Sequence, residues 1–579
     1  MKQILDPEQL DKTQLMDNLF EHYLDDRVVD DKILCKVIIL TIVSSITDNP
    51  INLFIKGETS TGKTFTVKNV VNLFKNEHSS IRDNIITIGK ISPTAIYYQE
   101  GTLYDLKQNR EVEKVKVGKE SYVFYKDEAH GSDPDNSINT DEVEISKVID
   151  MRGKTLVFYE SPSYETMMMI RSLLSHDNDK QDLEYKITKD QEVMTIYIRG
   201  SPASIFCQAQ VSASKDNPMD EIASRCVTVS PYENKSKYKK VINKLGMKYS
   251  YDKIKTEQDR VNEQSLMRDL ADEINTKVIN VLQAGNENLW DKPIGKLLLD
   301  KFDEDGENIG KESLAGSSVK SNVPLGYKLS DRLPYNQGSD MRHADQYLQL
   351  LKLHTVFNST HRPVIAKDSL KVVLSNQDDY MFLLNIIELF GNSIRGGIPK
   401  SAVDLYEIIF QETYNGGITT DNLAKRVGES PKKLLNNELR HLRTENWIES
   451  IRDEDDKRKK LWKSMTTDLK IKEEMMFINN NSLIEFDHND VAEFWNNFKE
   501  ANQGVLFDGN QKYQIGLNST IIDENTLLKS LECKPQIVEE TRNYDKYESQ
   551  IVSDTTGENK DGSRLDDYSE QDNKTEVKE

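Results

Sequence analysis

Short runs of β-branched, aliphatic and aromatic residues recur between Ile51 and Val229: INLFIKG, IITIGK, SYVFYKD, TLVFYE, ASIFCQ and RCVTV. Stretches with helical spacing of apolar positions lie among them, and strands alternating with helices predict an α/β fold with a parallel sheet. Ahead of this region, residues 1–48 read as a helical segment. Its greasiest run, Ile33–Ile46, contains Lys36 and is shorter than the ~20 apolar residues a bilayer span needs, so it predicts a buried helix. After the α/β region, which spans 49–232, residues 233–396 turn almost wholly helical around a polar stretch at 303–337. A compact module follows at 397–465, then a mixed region at 466–538. Residues 539–579 are polar, acid-rich and short of aliphatics, the pattern of a disordered tail. The chain shows no internal repeat.

Length and charge narrow the picture. A chain of 579 residues suits roughly three domains and needs no disulfide or metal staple. The net charge of −21 argues against coating nucleic acid along the whole surface, while leaving local DNA contacts open. The acidic tail reads first as a solvating appendage and second as a site for a protein partner. Cys35, Cys207, Cys226 and Cys533 form no CxxC pair and no zinc spacing, which suits a reducing cytosol. The histidines form no ligand cluster. The first residues, MKQILDPEQLDKTQ, lack the features of a signal peptide. The expectation is a soluble cytoplasmic protein without a membrane partner.

The most specific chemical signal is Gly57-Glu58-Thr59-Ser60-Thr61-Gly62-Lys63-Thr64, which matches GxxxxGK[ST] at every fixed position. An apolar strand precedes it and a helix with Phe65, Val67, Val70, Val71 and Phe74 follows. Glycines let such a loop wrap phosphate so that backbone N–H groups point inward. Lys63 would reach the β- and γ-phosphates, and the Thr64 hydroxyl would hold a nucleotide-bound Mg2+. ATP and Mg2+ are therefore the expected ligands.

Two acids compete for the hydrolytic role. Asp127-Glu128-Ala129-His130 follows Tyr122-Val123-Phe124-Tyr125 and, with the phosphate loop, resembles two motifs of DEAH-box helicases. The second lobe such enzymes need is missing, and Lys126 interrupts the apolar run. The other candidate is Glu160, after Leu156-Val157-Phe158-Tyr159. A helix with Met167, Ile170 and Leu174 follows, then a hairpin of Leu183–Ile187 and Met194–Ile198 with Lys189-Asp190-Gln191 at its tip, then the strand Ser204–Cys207. In this order of elements the chain resembles AAA+ ATPases of the pre-sensor-1 hairpin group from Ile51 to Val229, most closely minichromosome-maintenance-type helicases and their archaeal or viral relatives.

The resemblance implies that Glu160 polarises the attacking water and that Lys186 and Lys189 face DNA in a ring's channel. It implies that Arg225, before the last strand, acts as an arginine finger in a neighbouring subunit's site. Gln208 or Gln210 would position water, and Arg342, opening the run His343–Phe357, would be the lid's sensor arginine. A homo-oligomeric ring follows from these roles. Tyr159 departs from the family, standing where its Mg2+-associated aspartate usually is. Glu160 is favoured over Asp127 and Glu128, and both candidates stay open.

Within 397–465 the pattern is that of a winged helix-turn-helix. Asp404–Thr413 and Thr420–Val427 are the first helices. Ser430 caps a third with Pro431 at its first position. That helix is expected to run Lys432–Asn446, with Leu434, Leu435, Leu439 and Leu442 inward and Lys432, Lys433, Asn436, Asn437 and Arg440 outward. A hairpin from Trp447 carries Lys457-Arg458-Lys459-Lys460 as a basic wing. Such a helix enters the major groove while the wing grips phosphate; docking of another protein is the other use of the module. An ATP-driven motor on DNA, a ring helicase or translocase, is the leading functional expectation. An ATP-switched DNA-binding initiator, loader or regulator is the second, and a DEAH-box-like enzyme the third.

Overall fold

The computed structural model describes residues 23–24, 27–47, 49–57, 60–89, 101–108, 110–117, 120–126, 145–160, 162–174, 183–189, 192–209, 225–231, 235–250, 261, 265–276, 278, 298–302, 308–313, 319–330, 338–368, 370–396, 400–444, 446–452, 460–467, 486–516 and 521–532. In chain order the first strands are β1 (Asn52–Gly57), β2 (Ile85–Ile88), β3 (Thr102–Asp105), β4 (Arg110–Val117), β5 (Glu120–Tyr125), β6 (Ile145–Asp150), β7 (Thr155–Phe158), β8 (Leu183–Lys189), β9 (Glu192–Arg199), β10 (Ala203–Ala209) and β11 (Val227–Val229).

Five of these form an all-parallel sheet in the order β11-β1-β10-β7-β2. Its strands are apolar on both faces, as burial on both sides requires. Leu53 and Ile55 face one core with Ile205, Val227 and Val229. Phe54 faces the other with Phe158, Phe206, Met167 and Ile170, and the Phe158 and Phe206 rings stack at 4.8 Å. On the first face lie helices α1 (Lys32–Ser44) and α2 (Lys63–Phe74); on the second lies α3 (Tyr164–Ile170). Helix α1 buries Leu34 to Ser44 almost without a break, as its all-round apolar pattern predicts.

The insertion between β2 and β7 forms a second, mixed sheet with the β8–β9 hairpin, in the order β5-β4-β3-β6-β9-β8. All its pairs are antiparallel except β6 with β9. Gly200 turns the chain from β9 into β10 at φ +69°, and a Cβ there would sit 2.2 Å from Arg152 Cγ.

The next region departs from the expected near-continuous helix. Helix α4 (Lys235–Ser250) leaves the parallel sheet, and the hairpin β12 (Leu298–Phe302) and β13 (Asn308–Ser313) follows. Strand β14 (Val319–Asn322), helix α5 (Gly338–Phe357), strands β15 (Pro363–Lys367) and β16 (Leu370–Leu374) and helix α6 (Gln377–Gly396) come next.

The module from Lys400 consists of α7 (Lys400–Thr413), β17 (Ile418–Thr419), α8 (Thr420–Val427), α9 (Pro431–Asn436), α10 (Glu438–Thr444), β18 (Ile448–Arg452) and β19 (Lys460–Ser464). Its sheet is ordered β17-β19-β18, over a core of Tyr406, Ile409, Leu423, Leu434, Leu439, Leu442 and Trp462. The expected third helix is two helices. Asn437 leaves helical geometry at φ −112°, ψ −91°, and asparagine is a weak helix former because its amide competes for backbone groups. The break leaves Leu435 exposed, contrary to its expected inward position, while Leu434, Leu439 and Leu442 are buried as expected.

Beyond the winged module, β20 (Lys512–Ile515) and β21 (Ile521–Ile522) complete a sheet ordered β14-β16-β15-β20-β21. Residues of the mixed C-terminal region thus share a sheet with the region read as a helical lid. Four- and five-residue strands carry too few positions for their two-residue period to stand out beside 20-residue helices.

Candidate functional site

The phosphate loop joins β1 to α2 at the carboxyl edge of the parallel sheet. Ser60 and Gly62 take positive φ, 69° and 92°. A Cβ at Gly62 would meet nothing within 4 Å, so glycine is favoured there by backbone conformation rather than by space. Helix α2 has no acid in its first turn, which leaves its positive end for an anion. Lys63 is buried, and its Nζ donates to the Gly57 carbonyl at 2.9 Å and Thr61 Oγ1 at 3.3 Å. The Thr64 hydroxyl donates to the Tyr159 carbonyl at 3.3 Å and bonds the Cys207 thiol, whose pKa burial pushes up to about 11. Glu58 and Thr59 lie outside the described residues.

The neighbouring strands bring further groups to this edge. Phe158 pairs with Phe206 across β7 and β10, so Glu160 and Gln208 stand two residues beyond a matched pair. Glu160 is exposed and Gln208 is buried. Lys63, Thr64, Glu160 and Gln208 therefore belong to the ends of three adjacent strands, where open α/β sheets bind their ligands. Gln210 lies outside the described residues.

Asp127 and Glu128 also lie outside them, but the strand leading there does not. Strand β5 is the edge of the second sheet, with Tyr125 paired to Val112 of β4. It is not a strand of the sheet that carries the phosphate loop.

Arg225 is half-buried just ahead of β11. Val227 aligns with Leu53, so Arg225 is level with the start of β1, about 20 Å from its own phosphate loop at ~3.3 Å per residue. Arg342 is exposed near the start of α5. Lys186 is exposed on β8 beside Glu184 at 3.3 Å, and Lys189 ends that strand at the hairpin tip.

Two features of this region carried no recognisable motif. Lys68 sits one helical turn beyond Thr64, with Nζ 5.1 Å from the centre of the Tyr159 ring. Asp31, ahead of α1, is buried and accepts from Lys237 Nζ at 2.7 Å and from Thr66 Oγ1 at 3.3 Å. It ties the N-terminal segment and α4 to the phosphate-loop helix. Burial pushes its carboxyl pKa up, against the pull of Lys237.

In the winged module a groove of about 1030 Å³ is rimmed by Lys425, Arg440, Arg443 and Lys460, with Leu439 and Trp462 among its lining. Lys432 is exposed. Lys433, expected to face outward, is half-buried with Nζ 3.7 Å from Glu429. Lys457, Arg458 and Lys459 lie outside the described residues. Burial, with the charges of Arg440 and Lys56, holds the His441 imidazole below its ordinary pKa. One side of α10 is thus within electrostatic reach of β1, while Arg440 and Arg443 line the groove.

The donor set fits a nucleotide triphosphate: a positive-φ loop, an uncompensated helix N-terminus and a buried lysine. It fits the accompanying Mg2+ only in part, because that ion favours carboxylate and phosphate oxygens in an octahedron. Thr64 offers a hydroxyl, but Tyr159 offers a phenol whose pKa burial raises. Among the described residues no helix is long and apolar enough to cross a membrane, and no group of three or more His, Cys, Asp or Glu could hold a metal.

These features define an α/β protein with a five-stranded all-parallel sheet and a phosphate-type loop on its second strand. No family model matches the sequence, and no curated protein matches it at a significant level.

Proposed function

We propose that the chain is a P-loop ATPase of the AAA+ type that acts on DNA as a motor. The observation that carries this reading is the strand order β11-β1-β10-β7-β2, with the phosphate loop after β1, Glu160 after β7 and Gln208 on β10. In it, backbone N–H groups of the loop and Lys63 bind the phosphates. Glu160 accepts a proton from the attacking water as general base, and Gln208 orients that water. Arg225 serves the site of a neighbouring copy, consistent with its distance from its own loop. Mg2+, where it accompanies the nucleotide, would rest on Thr64 and the phosphate oxygens. The groove rimmed by Lys425, Arg440, Arg443 and Lys460 takes the DNA backbone.

The test is steady-state ATPase with and without single-stranded and duplex DNA, beside Lys63→Ala. DNA stimulation that vanishes in the variant is expected. Hydrolysis that DNA never alters would end the motor reading. Tyr159 favours a second reading, an ATP-switched initiator or loader that turns over slowly. Nucleotide retained through purification would support the switch, since a motor sheds its product.

A further inference from the structure

We propose that this site holds ATP with little dependence on Mg2+, that Tyr159 is the residue responsible, and that Lys68 supplies positive charge in the ion's place. The inference rests on the nucleotide-site reading above and concerns what surrounds the Thr64 hydroxyl.

That hydroxyl donates to the Tyr159 carbonyl at 3.3 Å and is hydrogen-bonded to the Cys207 thiol. Neither is an anion. A thiol and a phenol are both neutral at physiological pH by their ordinary values. A magnesium ion gives up its waters reluctantly and does so for carboxylates and phosphates. Here the residue one step past β7 supplies an aromatic ring, and Glu160 is displaced one residue further and exposed.

A cation occupies the ring's face. Lys68 Nζ stands 5.1 Å from the Tyr159 centroid, within the range of cation–π attraction. Because Lys68 is four residues after Thr64 on α2, both side chains lie on one face of that helix. An ammonium on the same helix face as the hydroxyl that would touch the ion, and against the Tyr159 ring, repels a divalent cation and attracts a triphosphate. A tyrosine rather than a carboxylate at position 159 and the lysine on its ring therefore act in the same direction. With Lys63 and the helix N-terminus, Lys68 can offset phosphate charge without a metal.

The experiment measures binding of a fluorescent N-methylanthraniloyl ATP to the full chain in Mg2+ and in EDTA. The wild-type Kd is expected to change by less than about threefold between the two buffers, a small step on the affinity scale. Tyr159→Asp, which creates a metal-facing carboxylate, should make EDTA weaken binding about 10- to 100-fold, the usual effect of one group that orients or holds a metal. Lys68→Ala should weaken binding more in EDTA than in Mg2+, and Tyr159→Phe should behave as wild type. Lys68 is exposed, so Lys68→Ala keeps the test decisive if Tyr159→Asp fails to fold. A wild-type Kd that rises more than about threefold when EDTA removes the ion overturns the inference and leaves the nucleotide site standing. No binding in either buffer, as in Lys63→Ala, overturns the nucleotide site and this inference with it.

Discussion

At the scale of single residues, burial decides which charges hold the fold and which are left for chemistry. Asp379 is fully buried; burial pushes its carboxyl up, but Arg362 and His354 win and hold it below its ordinary pKa. Arg362 Nη2 donates to Asp379 Oδ1 at 2.9 Å, and His354 Nδ1 lies 2.6 Å from the same oxygen. Asp379→Ala would leave the buried guanidinium only the exposed Asp378, 3.3 Å from Nη1, so urea unfolding at neutral pH should show a loss of about 3 kcal/mol, the lower end for breaking a buried pair. A loss below about 1 kcal/mol, the worth of an exposed pair, would contradict this. The pH dependence follows from the two directions. Burial lowers the His354 pKa below 6.5, so the unfolded chain takes that proton first and stability falls as pH drops below 6.5. The depressed Asp379 pKa adds stability above the unfolded value of 3.8, which is lost on further acidification. Glu160 belongs to the other kind, exposed and at the sheet's edge. Glu160→Gln should lower turnover by about 10²–10⁴-fold, the usual worth of a general base, with nucleotide affinity kept. The same loss from Asp127→Asn with Glu128→Gln, and none from Glu160→Gln, would move the role to that pair. Lys63 and Thr64 were legible from spacing because the phosphate loop is a local structure. Asp31, Thr66 and Lys237 were not, since their contact joins positions 31 and 237.

Among the elements, the winged module shows where a local pattern holds and where it fails: Leu434, Leu439 and Leu442 face inward as expected, while one expected helix is two and Leu435 and Lys433 leave their expected faces. Ser430 caps α9 by accepting from the Lys433 amide, with Pro431 at the first turn, as the sequence suggests. The break at Asn437 redirects the second half, so Arg440 and Arg443 join Lys425 and Lys460 around one groove while Lys433 turns to Glu429. Lys425 and Arg443 come from different helices, and only their packing brings them together. Replacing Arg440 and Lys460 by Ala should weaken duplex DNA binding on all sequences alike. The slope of log K against log salt should fall by about 0.9 for each phosphate no longer neutralised. Unchanged affinity and slope in a fluorescence-anisotropy titration would exclude the groove as a DNA site. Strand content between residues 319 and 374 was hidden for a different reason: β15 of that sheet pairs with β20, more than a hundred residues later, and distant sheet partners leave no trace in a local window.

For the molecule as a whole, the placing of Arg225 on the edge opposite its own phosphate loop makes a shared site testable. Arg225→Ala should abolish turnover and keep nucleotide binding. Mixing it with Lys63→Ala should then restore part of the activity, since a mixed assembly pairs an intact loop with an intact arginine. Two inactive variants that stay inactive when mixed, while shown to assemble, would count against a site completed between copies. The ion pair of Asp31 with Lys237 gives the molecule a long-range tie, from the N-terminal segment across α2 to α4, so α2 and α4 share a buried charge.

Composition and periodicity alone were enough for an α/β sheet, a buried first helix and a GxxxxGKT turn between a strand and a helix, because each depends on residues near one another in the chain. Strand order, the separation of β5 from the parallel sheet, the Lys68–Tyr159 contact and the basic groove arose only on folding. Each depends on pairing or packing between distant segments, and the free energy that selects such partners comes from burial shared across the whole core rather than from any one stretch of sequence.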